Sequence, residues 1–245
     1  VPYLQRTYGR ARVADPRTSL TVETDLLVPR ELEPGARQPI TEILTAAGFE
    51  MLGESGAVWV RAAEDGGATI EFMTPKAGPA RRRGGYPNVP GQPQLRAVDL
   101  EHLEVMARFN EIVHLHPDVD EVFVAVRVPT LGAFVINKAN TFNLRGGSDK
   151  ALKAGKDLLY LRDVAAAGEH PLTIVEEDVG AIVDAGSMAT VGRAGRHLRM
   201  AAANFHADAA AILAERDGTE MAKAKADVAG HLEDIAEIIR HVAPE

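Results

Sequence analysis

The chain has 245 residues, 46% of them hydrophobic, and a formal net charge of −8. That length supports one large domain or two small ones with real cores. The acidic balance excludes a protein that coats nucleic acid along its whole surface, and the absence of cysteine excludes disulfides, thiol nucleophiles and thiolate zinc sites.

Ser19 to Val28 is β-branched and leucine-rich, which predicts a strand. Pro39 to Ala47 predicts a helix, with Ile40, Ile43 and Leu44 on one face and Gly48 just past its end. Val58 to Ala62 and Ala68 to Met73 read as strands separated by a Gly66-Gly67 turn. The order predicts a mixed sheet with helical cover. Residues 74–97 are rich in Pro and Gly and carry Arg81, Arg82 and Arg83. They read as a long loop, either a solvated basic linker or an electropositive lid over an anionic substrate.

Val98 to Leu115 is expected to be helical from the spacing of Leu103, Met106, Phe109 and Val113. A strand over Glu121 to Val128 and helices over Leu131 to Arg145 and Lys150 to Ala167 follow. From Glu176 onward nearly everything reads as helix. The last segment carries a stripe of Val228, Leu232, Ile235, Ile239 and Val242 that needs a partner surface. The expected fold class is therefore α/β (α+β): a sheet-bearing part over residues 1–97 and a mainly helical part over 98–245.

TSLTVETDLLVP places Glu23 and Asp25 in an apolar strand. Side chains at i and i+2 share a face, about 6–7 Å apart. Two carboxylates so close repel and lose hydration unless a divalent cation lies between them. A third acid, Glu71, sits between Ile70 and Phe72 in ATIEFMTP. Three carboxylates on neighbouring strands form a two-metal phosphoryl-transfer site. Acids on a strand also have a plainer use, which is to deter edge pairing.

TVETDLLVP resembles the T-x-[DE]-x-D-L-L-V strand of minimal nucleotidyltransferases with the DNA polymerase β-type fold, and ATIEFMTP resembles the strand that bears their third carboxylate. VPTLGAFVINKANTFNLR followed by KAGKDLLYLRDV resembles the second half of the AbiEii-like branch. The resemblance covers roughly residues 1–165. It implies that Glu23, Asp25 and Glu71 bind Mg²⁺, that Glu71 helps to deprotonate the acceptor, and that Lys138 and Arg145 lie near the triphosphate or the acceptor. Lys156 and Asp157 resemble the family's Lys-Asp pair, which either binds substrate or holds the helices together.

The substrate implied is a nucleoside triphosphate, and the acceptor an RNA, a protein or a small molecule. The resemblance also implies a toxin of a toxin–antitoxin or phage-defence pair, with an antitoxin as partner. No apolar run reaches the roughly 20 residues that span a bilayer, so a cytoplasmic protein with no membrane is expected. Two departures stand out. The Gly-Gly or Gly-Ser turn that usually opens this module does not precede VPYLQRTYG, so the chain begins late relative to the family. Position 23 is Glu where Asp is commoner. Both favour an alternative reading, a catalytically degenerate nucleotidyltransferase-fold binding module. An antibiotic-modifying nucleotidyltransferase is a third.

HLHPDVD sets His114, His116, Asp118 and Asp120 at alternating positions, but Pro117 makes a turn the better reading than a metal site. Ser148 and Ser187 lack convincing His–Asp partners for hydrolase chemistry.

Overall fold

The computed structural model describes residues 23–28, 38–62, 67–76, 86–115, 124–144, 151–167 and 169–244, excepting the side chains of residues 23, 114, 115, 124 and 205. The Arg81–Arg83 triplet, His116, Asp118, Asp120, Arg145 and Ser148 lie outside the described residues. The chain divides into two compact units, Ser19–Ala107 and Arg108–Glu245, the latter together with Val1–Thr18.

The first unit is a mixed sheet. Its strands are β1 (Glu23–Leu27), β2 (Glu50–Met51), β3 (Val58–Arg61), β4 (Ala68–Pro75) and β5 (Val98–Leu100), with helix α1 (Ile40–Ala46) between β1 and β2. The path runs β1-β4-β3-β2. The pair β1/β4 is parallel and β3/β4 and β2/β3 are antiparallel, while β5 adds parallel to the end of β4. The core holds Phe72, 1% exposed, with Val28, Leu44, Trp59, Val89, Leu95 and Ala97; Ile40, Phe49 and Ile70 pack against it. Burying a side chain of the size of Phe72 contributes about 2–3 kcal/mol.

Helix α1 has no local side-chain cap. Its first N–H, that of Ile40, donates instead to Gln92 Oε1 at 2.7 Å. Gly48 ends the helix at φ 80, where a side chain would be strained.

Gln92 belongs to the stretch predicted as linker or lid. Its second half is neither, because residues 86–97 are docked on the sheet. Val89 N–H donates to Leu95 O at 3.0 Å, Ala97 N–H to Pro87 O at 3.1 Å and Arg96 N–H to Gly56 O at 3.3 Å, while Val89, Leu95 and Ala97 fill the core. The approach is so close that a Cβ at Gly56 would meet Gln94 O at 2.8 Å. Composition alone marked this stretch as loop, and its apolar residues at 89, 95 and 97 are what turn it inward.

The helix expected over Val98–Leu115 is replaced by β5, a short helix α2 (Leu103–Arg108) and strand β6 (Asn110–Leu115). Two strand partners overrule the helical spacing. Met73–Pro75 pairs with Val98–Leu100, and β7 (Val124–Pro129) pairs antiparallel with β6. The β-branched Ile112 and Val113 suit that hairpin.

Beyond the β6–β7 hairpin, the second unit is helical: α3 (Leu131–Leu144), α4 (Ala151–Ala166), α5 (Glu169–Ile182), α6 (Met188–Met200), α7 (Ala207–Asp217) and α8 (Met221–Val242). The α8 stripe finds its partners in α4, α6 and α7, and Val228, Leu232, Ile235 and Ile239 are all buried, with Val242 half-buried. The mixed α/β class with a helical C-terminal region is thus the observed one. Helices approach closely where glycine removes the side chain. A Cβ at Gly132 would lie 2.4 Å from Asp178 Cβ, and one at Gly195 2.8 Å from Ile239 Cγ2. A network of charges ties α4, α7 and α8. Arg216 forks onto Asp163 (2.9 and 3.3 Å), and Arg162 bridges Asp163 and Asp227.

Asp178, on α5, caps α3 from across the bundle and accepts the Gly132 N–H at 2.8 Å. Burial pushes its carboxyl above the ordinary 3.8, against hydrogen bonds from Gly132, Thr130 and Leu131 that favour the carboxylate. A raised carboxyl pKa contributes stability that is complete below 3.8 and is lost as pH rises through the folded-state value. Asn at 178 keeps an oxygen for the cap and titrates nothing. The urea midpoint of the wild type should therefore fall between acid and neutral pH relative to that of Asp178→Asn. Parallel pH profiles would show that Asp178 does not titrate with folding.

Candidate active site

Strand β1 is pinned to β4 by a parallel register in which Glu23 faces Thr69, Asp25 faces Glu71 and Leu27 faces Met73. Ile70 and Phe72 belong to the core side of β4, and Ile70 pairs with Trp59 on β3. Alternation along a strand then sets Thr69, Glu71 and Met73 on the other face, with Asp25 beside them. Two of the three predicted acids, Asp25 and Glu71, therefore share one face of two adjacent strands. Neighbouring strands lie about 4.8 Å apart, and residues two apart along a strand about 6–7 Å, which is within the span that oxygen ligands of one or two hard cations bridge.

Their settings differ. Asp25 is exposed and lies on the strand that forms the edge of the described sheet, whereas Glu71 is half-buried on β4, which is paired on both sides. Edge protection can explain an acid on β1. It cannot explain one on a central strand, where no edge exists to protect. Among the described residues no three His, Cys, Asp or Glu groups form a metal-holding cluster, and the Glu23 side chain falls outside that set. The donor chemistry is all hard carboxylate oxygen, which suits Mg²⁺ and not the softer transition metals.

The remaining predicted residues lie in the second unit. Lys138, on α3, donates to Asp157 Oδ1 on α4 at 2.9 Å, with the lysine side chain 20% exposed and the aspartate 2%. The ammonium also stands over the rings of Tyr160 at 5.3 Å and Phe134 at 5.7 Å. Lys156 precedes Asp157 on the same helix and is exposed. Two polar groups that sequence reasoning passed over are Asn140, fully buried and donating to Ile136 O and Thr190 O, and His197. The His197 Nδ1 lies 3.2 Å from Ala139 O, so it donates there and leaves Nε2 to accept from Asn143 Nδ2 at 3.3 Å. No sequence pattern announces these long-range contacts.

An acid pair in register across a parallel strand pair is an arrangement that phosphoryl-transfer chemistry can use. Over residues 13–181 the chain matches the family model described as nucleotidyltransferase, and it belongs to that family. It is accordingly a transferase enzyme, and its class of chemistry is nucleotidyl transfer. No curated protein and no solved structure matches the chain significantly.

Proposed function

We propose that the chain is a Mg²⁺-dependent nucleotidyltransferase of the polymerase β-type fold. It moves a nucleoside monophosphate from a nucleoside triphosphate to a hydroxyl on an RNA, a protein or a small molecule. The observation that carries this reading is the register of Asp25 with Glu71, an acid on a central strand.

Glu23, Asp25 and Glu71 would hold the cation, which supplies charge neutralisation on the triphosphate and acidifies the acceptor hydroxyl. The half-buried Glu71 carboxylate takes the hydroxyl proton. The acceptor oxygen bonds to the α-phosphorus, the bond from that phosphorus to the bridging oxygen breaks, and pyrophosphate leaves with the electron pair. In this reading Lys138 and Asp157 hold α3 against α4.

The AbiEii-like branch, and with it a toxin's role opposite an antitoxin, is supported by the likeness of the α3 and α4 sequences. A cytoplasmic setting goes with that role. Among the described residues no helix is long and apolar enough to cross a membrane.

The test incubates the protein with Mg²⁺, each α-labelled nucleoside triphosphate, total bacterial RNA and cell extract. Label on a macromolecule that disappears with Asp25→Asn establishes the reaction and names the acceptor class. Binding of Mg²⁺-nucleotide without any transfer would instead establish the degenerate binding module.

A further inference from the structure

One hydroxyl stands beside the acid pair. Thr69 lies two residues before Glu71 on β4, so the two side chains share a face, about 6–7 Å apart along the strand. The β1/β4 register sets Asp25 directly opposite Glu71 and therefore diagonal to Thr69. On the other side of β4, Val60 faces Thr69 and Val58 faces Glu71. Thr69 and Glu71 are both half-buried.

The rest of this face has a one-sided chemistry. Around Thr69 and the acids it offers Leu27 on β1, Met73 on β4, Val58 and Val60 on β3, and Glu50 opposite Val60 on β2. A carboxylate only accepts hydrogen bonds, and an aliphatic side chain neither accepts nor donates them. Among the described strand residues of this face, Thr69 is therefore the one whose side chain donates a hydrogen bond while the acids are ionised. A nucleoside triphosphate makes the opposite demand. Its phosphate oxygens accept, and they meet carboxylates only through a cation held between them. The β-branch of threonine also restricts the directions its hydroxyl can take, so the donor is aimed before any ligand arrives.

We propose that the Thr69 hydroxyl donates a hydrogen bond to a non-bridging oxygen of the substrate's triphosphate. It is a direct nucleotide contact beside the cation, and it rests on the nucleotidyl-transfer reading of Asp25 and Glu71. Threonine also suits a strand for its packing alone. Two substitutions separate the roles. Valine keeps the shape and the strand preference and loses the donor, whereas serine keeps the donor and loses the methyl group.

The experiment is calorimetric titration of the full chain, in Mg²⁺, with the α,β-methylene analogue of each nucleoside triphosphate, from which pyrophosphate cannot leave. Thr69→Val should weaken binding of the preferred analogue by roughly tenfold or more, the effect of one hydrogen bond to a charged acceptor, at an unchanged melting temperature. Thr69→Ser should bind as the wild type does. Equal affinity in the valine variant would overturn the proposal while leaving Asp25 and Glu71 in place. A loss in the serine variant as large as that in the valine variant would also overturn it, because the methyl group and not the hydroxyl would then matter. No binding by the wild type, or binding that Asp25→Asn leaves untouched, would overturn the proposal together with the cation site on which it rests.

Discussion

Asp25→Asn should abolish nucleotidyl transfer, lowering turnover by roughly 10²–10³-fold or more, while the melting temperature stays where it is or rises. The magnitude is that of removing one preorganised charge from a phosphoryl-transfer site. The unchanged fold follows from position. Asp25 is exposed on the edge strand, and the β1/β4 pairing that holds it runs through backbone groups that the substitution leaves alone. Removing one of two carboxylates in register also relieves repulsion. Glu71→Gln should lose as much activity. Side by side, activity assays and thermal melts of the two variants check this. Loss of activity accompanied by a collapse of the melting temperature would assign the acids to the fold, and full activity in either variant would remove that residue from the site.

Lys138→Met should cost about 3 kcal/mol of stability, the lower end of the range for breaking a buried ion pair by removing one partner. In a unit of this size the melting temperature should drop by about 10 °C. The buried Asp157 carboxylate loses a partner at 2.9 Å, and two aromatic rings lose a cation from their faces. Replacing both members, Lys138→Met with Asp157→Leu, should return most of the loss, because a well-packed apolar pair avoids the desolvation of two charges. A thermal melt and a nucleotide titration on the same protein separate the two roles of this pair. A lowered melting temperature with an unaltered nucleotide KM makes it framework. An unaltered melting temperature with a raised KM would make Lys138 a nucleotide ligand.

Much of this was legible in the chain because the signals are local. Asp25 in its apolar strand, and Glu71 between Ile70 and Phe72, take their faces from the two-residue repeat of a strand, and the β1/β4 register sets those two acids side by side. Helices α3 and α4 are long and periodic, and their bounds fall within a residue of expectation. What escaped is what depends on a partner distant in sequence. Residues 103–113 carry helical spacing by coincidence, and β6 forms only because β7 is there to accept its hydrogen bonds. The docked loop looks like a linker until Gln92 is seen to cap α1. Asp178 capping α3, and the Lys138–Asp157 bridge, join helices that no local pattern connects.

The parallel pairing of β1 with β4 has a consequence for the order of assembly. β3 and β4 are near neighbours in sequence and close cheaply, whereas β1 must return across α1, β2 and β3 before Asp25 meets Glu71. Loop-closure entropy makes such non-local pairing slow. Asp25 and Glu71 therefore come together late, and a partly folded chain carries the β3–β4 pair without that acid pair. On dilution from denaturant, the fluorescence of the single tryptophan, Trp59, buried on β3, should recover before catalytic competence does. Recovery of both in one phase would mean that the site and the core are a single cooperative event.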